Sequence, residues 1–327
     1  MIILNGSDVR QTLPMNGTIE AMKNAYAALS SGQVEAPLRG HLAIAPHTGT
    51  SLFMPAYVKG QNEALSVKIA SIYPNNSLRD LPIIHAAVLV FEADTGRVLA
   101  LLEGSTLTAI RTGAASGAAT DILAREDSKI ATIFGAGVQG RTQLEAICTV
   151  RNIDTAWIVD ADKDKAQKFI NDLAGRGKIP QDLRLAANPE EAAHFADIIC
   201  TATTSEKPVY PAEVVRPGTH INGVGSYTLE MIENPPEIYN RACAFADSRE
   251  AALAEAGETV NAINRKLLFP DEIAELGEVI LGERPGRISE SQITFFKSVG
   301  VAVQDTLAAQ LALQNAQEMG VGQQVTW

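Results

Sequence analysis

Apolar residues change texture part-way along this chain. In the first third, helical and strand-like spacings are mixed. Residues 18–30 put Ile19, Met22, Ala25, Tyr26 and Leu29 on one side at three-to-four-residue intervals, the spacing of an amphipathic helix, and Gly32 marks its end. Aliphatic and β-branched runs follow at 51–54, 65–72, 83–92 and 98–103, the last two joined by the turn-forming Glu92-Ala93-Asp94-Thr95-Gly96-Arg97. Strands in succession, with no helix between them, predict an antiparallel or mixed sheet. Near Thr112 the texture shifts. Residues 113–123 form a small-residue helix, and from Lys129 onward short apolar strands alternate with helices: strand 130–134 with a helix to about 150, strand 156–160 with helix 163–173, then strands at 197–202, 219–224 and 243–247. This alternation predicts βαβ units and a parallel sheet. A last helix covers 301–319. Its return to the first half would make that domain discontinuous, which the pattern alone leaves open.

Length and composition narrow the class. The chain has 327 residues, 46% hydrophobic and 20% charged, enough for two domains with a substantial core and unlike a disordered or fibrous protein. A formal net charge of −11 disfavours nucleic acid or an anionic membrane as partner. Cys148, Cys200 and Cys243 are far apart, forming neither a disulfide framework nor a metal knuckle. The first residues turn polar too soon for a signal peptide, and the longest apolar stretch, 83–91, is far shorter than a membrane span. A cytoplasmic protein is expected.

The clearest chemical signal is Gly135-Ala136-Gly137-Val138-Gln139-Gly140, which follows a strand and opens a helix. In that setting Gly135 allows a tight turn, Gly137 lets a pyrophosphate approach the backbone, and Gly140 lets helix and strand pack closely. The free N–H groups of the helix start face the phosphates. Asp160 ends the next strand, twenty residues after Gly140, where an acid accepts the adenosine ribose hydroxyls. The segment Asp160-Ala161-Asp162 offers a 2′-phosphate repulsion and no cationic clamp, so NAD(H) is favoured; Lys163 and Lys165 nearby keep NADP(H) as the alternative.

A second set of residues carries cations in apolar surroundings. Lys68 lies within the strand Ser66-Val67-Lys68-Ile69-Ala70-Ser71, Arg39 follows Ala36-Pro37-Leu38, and Arg111 precedes the small-residue helix. Each alone also fits a structural role, Lys68 as a snorkelling lysine and the arginines as surface or interdomain ion pairs. Of the histidines, His41, His47, His194 and His220 show no ligand spacing, so no catalytic metal is expected. His85 reads as a hydrogen-bonded core histidine. Lys297 reads as either a paired or a solvated lysine, and the acids Glu255, Glu258, Glu272, Glu275 and Glu278 as solvated surface.

Taken in order, the run 107–116, the glycine-rich turn, the loop Asn222-Gly223-Val224-Gly225-Ser226-Tyr227-Thr228 and Phe296-Lys297-Ser298-Val299-Gly300 resemble the ornithine cyclodeaminase/mu-crystallin family over essentially the whole chain. The resemblance implies an α/β protein: a Rossmann dinucleotide-binding domain over residues 113–302 and a discontinuous α+β substrate and dimerisation domain over 1–112 and 303–327. It implies a homodimer and an active site in the cleft between domains. Arg39, Lys68 and Arg111 match the positions that hold an α-amino or α-imino carboxylate, with Lys68 and Arg111 catalytic and Met54, Tyr227 and Thr228 beside the substrate. Thr112, Thr201, Ala202, Thr203, Val224, Gly225 and Ser226 join the glycine-rich turn and Asp160 around the cofactor.

The family's reactions differ, and two departures help choose among them. Cyclodeaminases carry an Asp where Tyr227 or Thr228 stands here, and a Glu just before the Met-Pro pair, where this chain has Leu52-Phe53-Met54-Pro55. A diamino acid would lack a counter-ion for its second ammonium. Making alanine from pyruvate and ammonia needs a positioned acid and base for ammonia addition and water loss, whereas a preformed cyclic ketimine needs only hydride at C2 and a proton on nitrogen. Reduction of Δ1-pyrroline-2-carboxylate or Δ1-piperideine-2-carboxylate to L-proline or L-pipecolate is therefore the expectation. L-alanine dehydrogenase, ornithine cyclodeaminase and a non-enzymatic NAD(P)H-dependent small-molecule binder are the alternatives.

Overall fold

The computed structural model describes residues 1–60 and 63–326. It forms two compact units: Met1–Arg111 with the chain from Val301 onward, and Thr112–Gly300. Thr112 thus falls in the second unit and residues 301 and 302 in the first, one and two positions from the expected limits.

The first unit is built on a mixed sheet in the order Gln323–Gln324, Ile2–Leu4, Val98–Glu103, Ile84–Phe91, Ala64–Ile72, Gly49–Val58 and Val34–Glu35, with Gly40–Ile44 also on Gly49–Val58. All pairings are antiparallel except that of Ile2–Leu4 with Val98–Glu103. Two-residue alternation decides which side chains enter the core. On Gly49–Val58 these are Leu52, Met54, Ala56 and Val58; on Ala64–Ile72 they are Ala64, Ser66, Lys68 and Ala70. The helices Met15–Ser30 and Ala302–Met319 pack together, and Ala302–Met319 lies against the two central strands. The C-terminal helix therefore does belong to the first unit. Small residues on its buried face, Ala302, Ala309, Ala312 and Ala316, allow the close approach.

The second unit holds an all-parallel sheet in the order Asp182–Leu185, Thr155–Val159, Ile130–Phe134, Ile198–Thr201, His220–Gly223, Ile293–Lys297, Ala242–Ala246 and Ala274–Glu275. Its first five strands follow the Rossmann order, with the reversal between Ile130–Phe134 and Ile198–Thr201, where such sheets bind ligands at the strands' carboxyl ends. Ile133, Ile158, Leu144, Ile147, Phe169 and Ile198 fill the core on this side. Helix Lys163–Leu173 coincides with the sequence reading and is capped by Asp162, whose carboxylate accepts from the Asp164 and Lys165 amides.

Helix Gly104–Leu123 starts nine residues earlier than expected. Its start is capped from the preceding strand: the Glu103 carboxylate accepts from the Ser105 and Thr106 amides at 2.8 Å each. Gly104 is needed because a Cβ there would press on the Ala86 and Ala87 backbone. Strand Ile293–Lys297 and helices Gly6–Thr12, Arg249–Glu255 and Gly257–Asn264 were not anticipated.

Candidate active site

In the first unit, Lys68 and Arg111 converge on a carboxylate. Asp305 accepts from Lys68 Nζ through Oδ2 at 2.8 Å and from Arg111 Nε through Oδ1 at 2.9 Å. Arg111 Nη1 donates to Gln304 Oε1 at 2.8 Å, and Gln304 Nε2 in turn donates to the Tyr26 hydroxyl. Lys68, Arg111 and Asp305 are all buried, at 3%, 5% and 0% exposure, so each charge depends on the others for compensation. Burial pushes the Lys68 ammonium down to about 8; Asp305 works against this, while the charges of Arg111 and Arg39 add to it. Burial also opposes ionisation of Asp305, but Arg111 and Lys68 hold its carboxyl below the usual range. Met54 sits directly across the ladder from Lys68 on the same buried face. Arg39 is half-buried before strand Gly40–Ile44.

Asp305 was missed in the sequence. It gives Lys68 and Arg111 one shared, buried counter-ion. Asp305 lies on the stripe of Ala302, Ala309, Ala312 and Ala316, where a charge needs a partner.

In the second unit, the glycine-rich turn has the shape a dinucleotide requires. Gly135 has φ +100° and its missing Cβ leaves space for the Ala202 carbonyl. A Cβ on Gly140 would overlap the Gly135 carbonyl. Gly137 starts helix Val138–Val150 with no side-chain cap, and a Cβ there would meet only the Lys165 ammonium, at 3.8 Å. Open space above uncapped amides is what a pyrophosphate fills, so these residues fit the group. Asp160 also braces the turn: Ala136 N donates to Oδ2 at 2.7 Å and Asp162 N to Oδ1 at 2.9 Å, with Lys165 Nζ 3.5 Å away. Burial opposes ionisation of Asp160, but these amides and Lys165 hold its carboxyl below the usual range. The glycine-rich turn and the end of strand Thr155–Val159 thus share one carboxylate held in its ionised form.

Residues 201–203 and 224–226 extend from the carboxyl ends of neighbouring parallel strands. Thr201 and Ser226 are fully buried, and their hydroxyls are engaged, Thr201 accepting from Asn234 and Ser226 donating to the Met231 carbonyl. Ala202, Thr203, Val224 and Gly225 are half-buried, as are Tyr227 and Thr228. Val138 is exposed at the helix start, and buried Thr112 accepts through its carbonyl from Gln143. Of the residues expected around substrate, Arg39, Met54, Lys68 and Arg111 lie in the first unit and Tyr227 and Thr228 in the second.

Two readings need correction, those of Glu258 and His85. Glu258 is fully buried rather than solvated, and Lys297, also buried, pairs with it at 3.0 Å and donates to the Ser226 carbonyl at 2.6 Å. His85 is exposed, on the rim of an open cleft with His47, Tyr73 and Arg79. The core histidine is His220, bonded to Thr294 and Asn222 and pushed down to about 3 by burial and then by the charge of Arg287. Among the described residues, no group of three or more His, Cys, Asp or Glu side chains could hold a metal ion, and no helix is long and apolar enough to cross a membrane.

Residues 1–320 match the model of the ornithine cyclodeaminase/mu-crystallin family. The chain belongs to that family. Among its relatives, the Δ1-pyrroline-2-carboxylate reductase of Bacillus cereus is 37% identical over 99% of each chain. The structure of Thermococcus litoralis Δ1-pyrroline-2-carboxylate reductase, in complex with NADH and L-proline, superposes with a TM-score of 0.94 at 40% identity, over 99% of this chain and 100% of that one. An archaeal alanine dehydrogenase dimer with bound NAD gives 0.92 at 31% identity, over 100% and 99%.

Proposed function

We propose that this family member is an NADH-dependent reductase of cyclic α-imino acids, converting Δ1-pyrroline-2-carboxylate or Δ1-piperideine-2-carboxylate to L-proline or L-pipecolate. The observation that carries this reading is the full-length likeness to the Thermococcus litoralis reductase bound to NADH and L-proline. The second unit takes the dinucleotide on Gly135, Gly137, Gly140 and Asp160. The first takes the carboxylate on Arg111 and Lys68, with Arg39 adding positive charge.

Asp305 makes that binding specific. It occupies one donor of Arg111 and one of Lys68, and Gln304 a second donor of Arg111. A guanidinium has five N–H groups and an ammonium three, so each cation keeps donors for a substrate, in planes fixed by the protein. When bound, the dinucleotide supplies the hydride that becomes the new C2–H bond. The electron pair of the C=N bond then moves onto the ring nitrogen, which takes a proton from Lys68 Nζ. Lys68 is suited to this because burial lowers its ammonium to about 8, close to working pH. A diamino acid is disfavoured, since Asp305 is already shared between two cations and residues 52–55, 227 and 228 carry no carboxylate.

A homodimer in a reducing cytoplasm completes the proposal. Leu38, Leu42, Phe53, Leu78, Leu81 and Ile83 leave an exposed apolar surface on the first unit, which a second copy would cover, and Cys148, Cys200 and Cys243 are free thiols. Product analysis tests the chemistry: incubation with NADH and each cyclic imine should give the L-amino acid, resolved chirally. Recovery of unreacted imine with intact NADH would overturn the proposed reaction.

A further inference from the structure

We infer that Glu233 is a positioning residue: with Lys297 it clamps the loops at 201–203 and 224–226 into one preformed surface for the dinucleotide. The inference rests on the assignment of those loops to the cofactor. Thr203 N donates to Glu233 Oε1 and Ser226 N to Oε2, at 2.8 Å for the latter, so one carboxylate ties together two loops from neighbouring strands. The next peptide is held as well, since the Ser226 carbonyl accepts from Lys297 Nζ. Gly225 lies between them, where a Cβ would overlap the Thr203 carbonyl and the Glu233 carboxylate. Further hydrogen bonds extend the clamp into the core: Tyr210 to Asn234, and Asn234 to Thr201 and Glu258.

Glu233 and Lys297 are buried, at 0% and 2% exposure. Burying a carboxylate is costly, and apolar side chains could fill the same volume without that cost. An apolar residue could not accept two backbone N–H groups from different loops, nor could a neutral amide, which offers one acceptor oxygen and would turn its own N–H toward the second donor. The geometry therefore serves the spacing of the two loops. It leaves the half-exposed edges of Ala202, Thr203, Val224 and Gly225 at a fixed separation before any ligand arrives.

The test uses Glu233→Gln and the wild-type protein. NADH binding is read by fluorescence without substrate, so the outcome does not depend on which imine is reduced, and a failure to reduce imines would overturn the proposed reaction alone. Glu233→Gln should melt cooperatively yet bind NADH about tenfold more weakly or worse, the loss expected for a charge-assisted hydrogen bond, while KM for the imino acid stays near wild type. In the wild type, the Thr203 and Ser226 amides should be protected from hydrogen exchange equally with and without NADH. Wild-type NADH affinity in the variant would overturn the inference, as would amides that become protected only once NADH is added. The exchange experiment decides the matter even where the variant does not fold.

Discussion

A lysine in the middle of a β-branched strand and an arginine just before a small-residue helix were visible from sequence as cations in unusual company. Their shared counter-ion was not, because Asp305 sits in an Ala/Leu/Gln-rich helix whose buried stripe shows only once the helix is placed against the sheet. The same holds for Glu258, which looks like a surface charge until it is seen to pair with Lys297, at the end of the buried strand Ile293–Lys297. The triad makes three predictions. Replacing Lys68 or Arg111 by Ala should remove most turnover, a loss in kcat/KM of at least about a hundredfold, while leaving NADH binding intact. Near-normal kcat/KM in both variants would remove them from the mechanism. Second, Lys68 must be protonated to hold the carboxylate and give its proton, and its ammonium is lowered from 10.5 to about 8. Activity should therefore be level below that value and fall as pH rises through it, whereas a solvated lysine would leave it level well into the alkaline range. Third, Asp305→Asn removes the negative charge that raises Lys68, so the alkaline limb should move to lower pH. It also leaves two buried cations without a counter-charge, which should cost about 3–5 kcal/mol of stability in denaturant unfolding.

At the scale of elements, the periodic segments were legible and the irregular starts were not. Helix Lys163–Leu173 declared itself through the alternation of strands and helices, and the strand before Gly135 through its position. The first nine residues of helix Gly104–Leu123 did not, because the cap at its start comes from Glu103 in the strand before it. Strand Ile293–Lys297 is buried along its whole length, so it lacks the two-residue alternation that marks a half-exposed strand. The glycine-rich turn gives the prediction at this scale. Gly140→Ala places a Cβ onto the Gly135 carbonyl, so NADH affinity should fall at least about tenfold, measured by fluorescence titration, even if the helix itself gains intrinsic propensity. Unchanged NADH affinity would mean that the turn can relax and is not the phosphate cradle.

For the molecule as a whole, the change in hydrophobic texture near Thr112 marked the passage between the two units, and the final helix closes the first. The division fits a division of labour, carboxylate on one unit and dinucleotide on the other. The most direct test compares rates of NADH oxidation on Δ1-pyrroline-2-carboxylate and Δ1-piperideine-2-carboxylate with that on pyruvate plus ammonia, using the same enzyme and NADH concentration. The account predicts rapid oxidation with a cyclic imine and little with pyruvate and ammonia. Turnover with pyruvate and ammonia, and none with either imine, would contradict it and identify an alanine dehydrogenase.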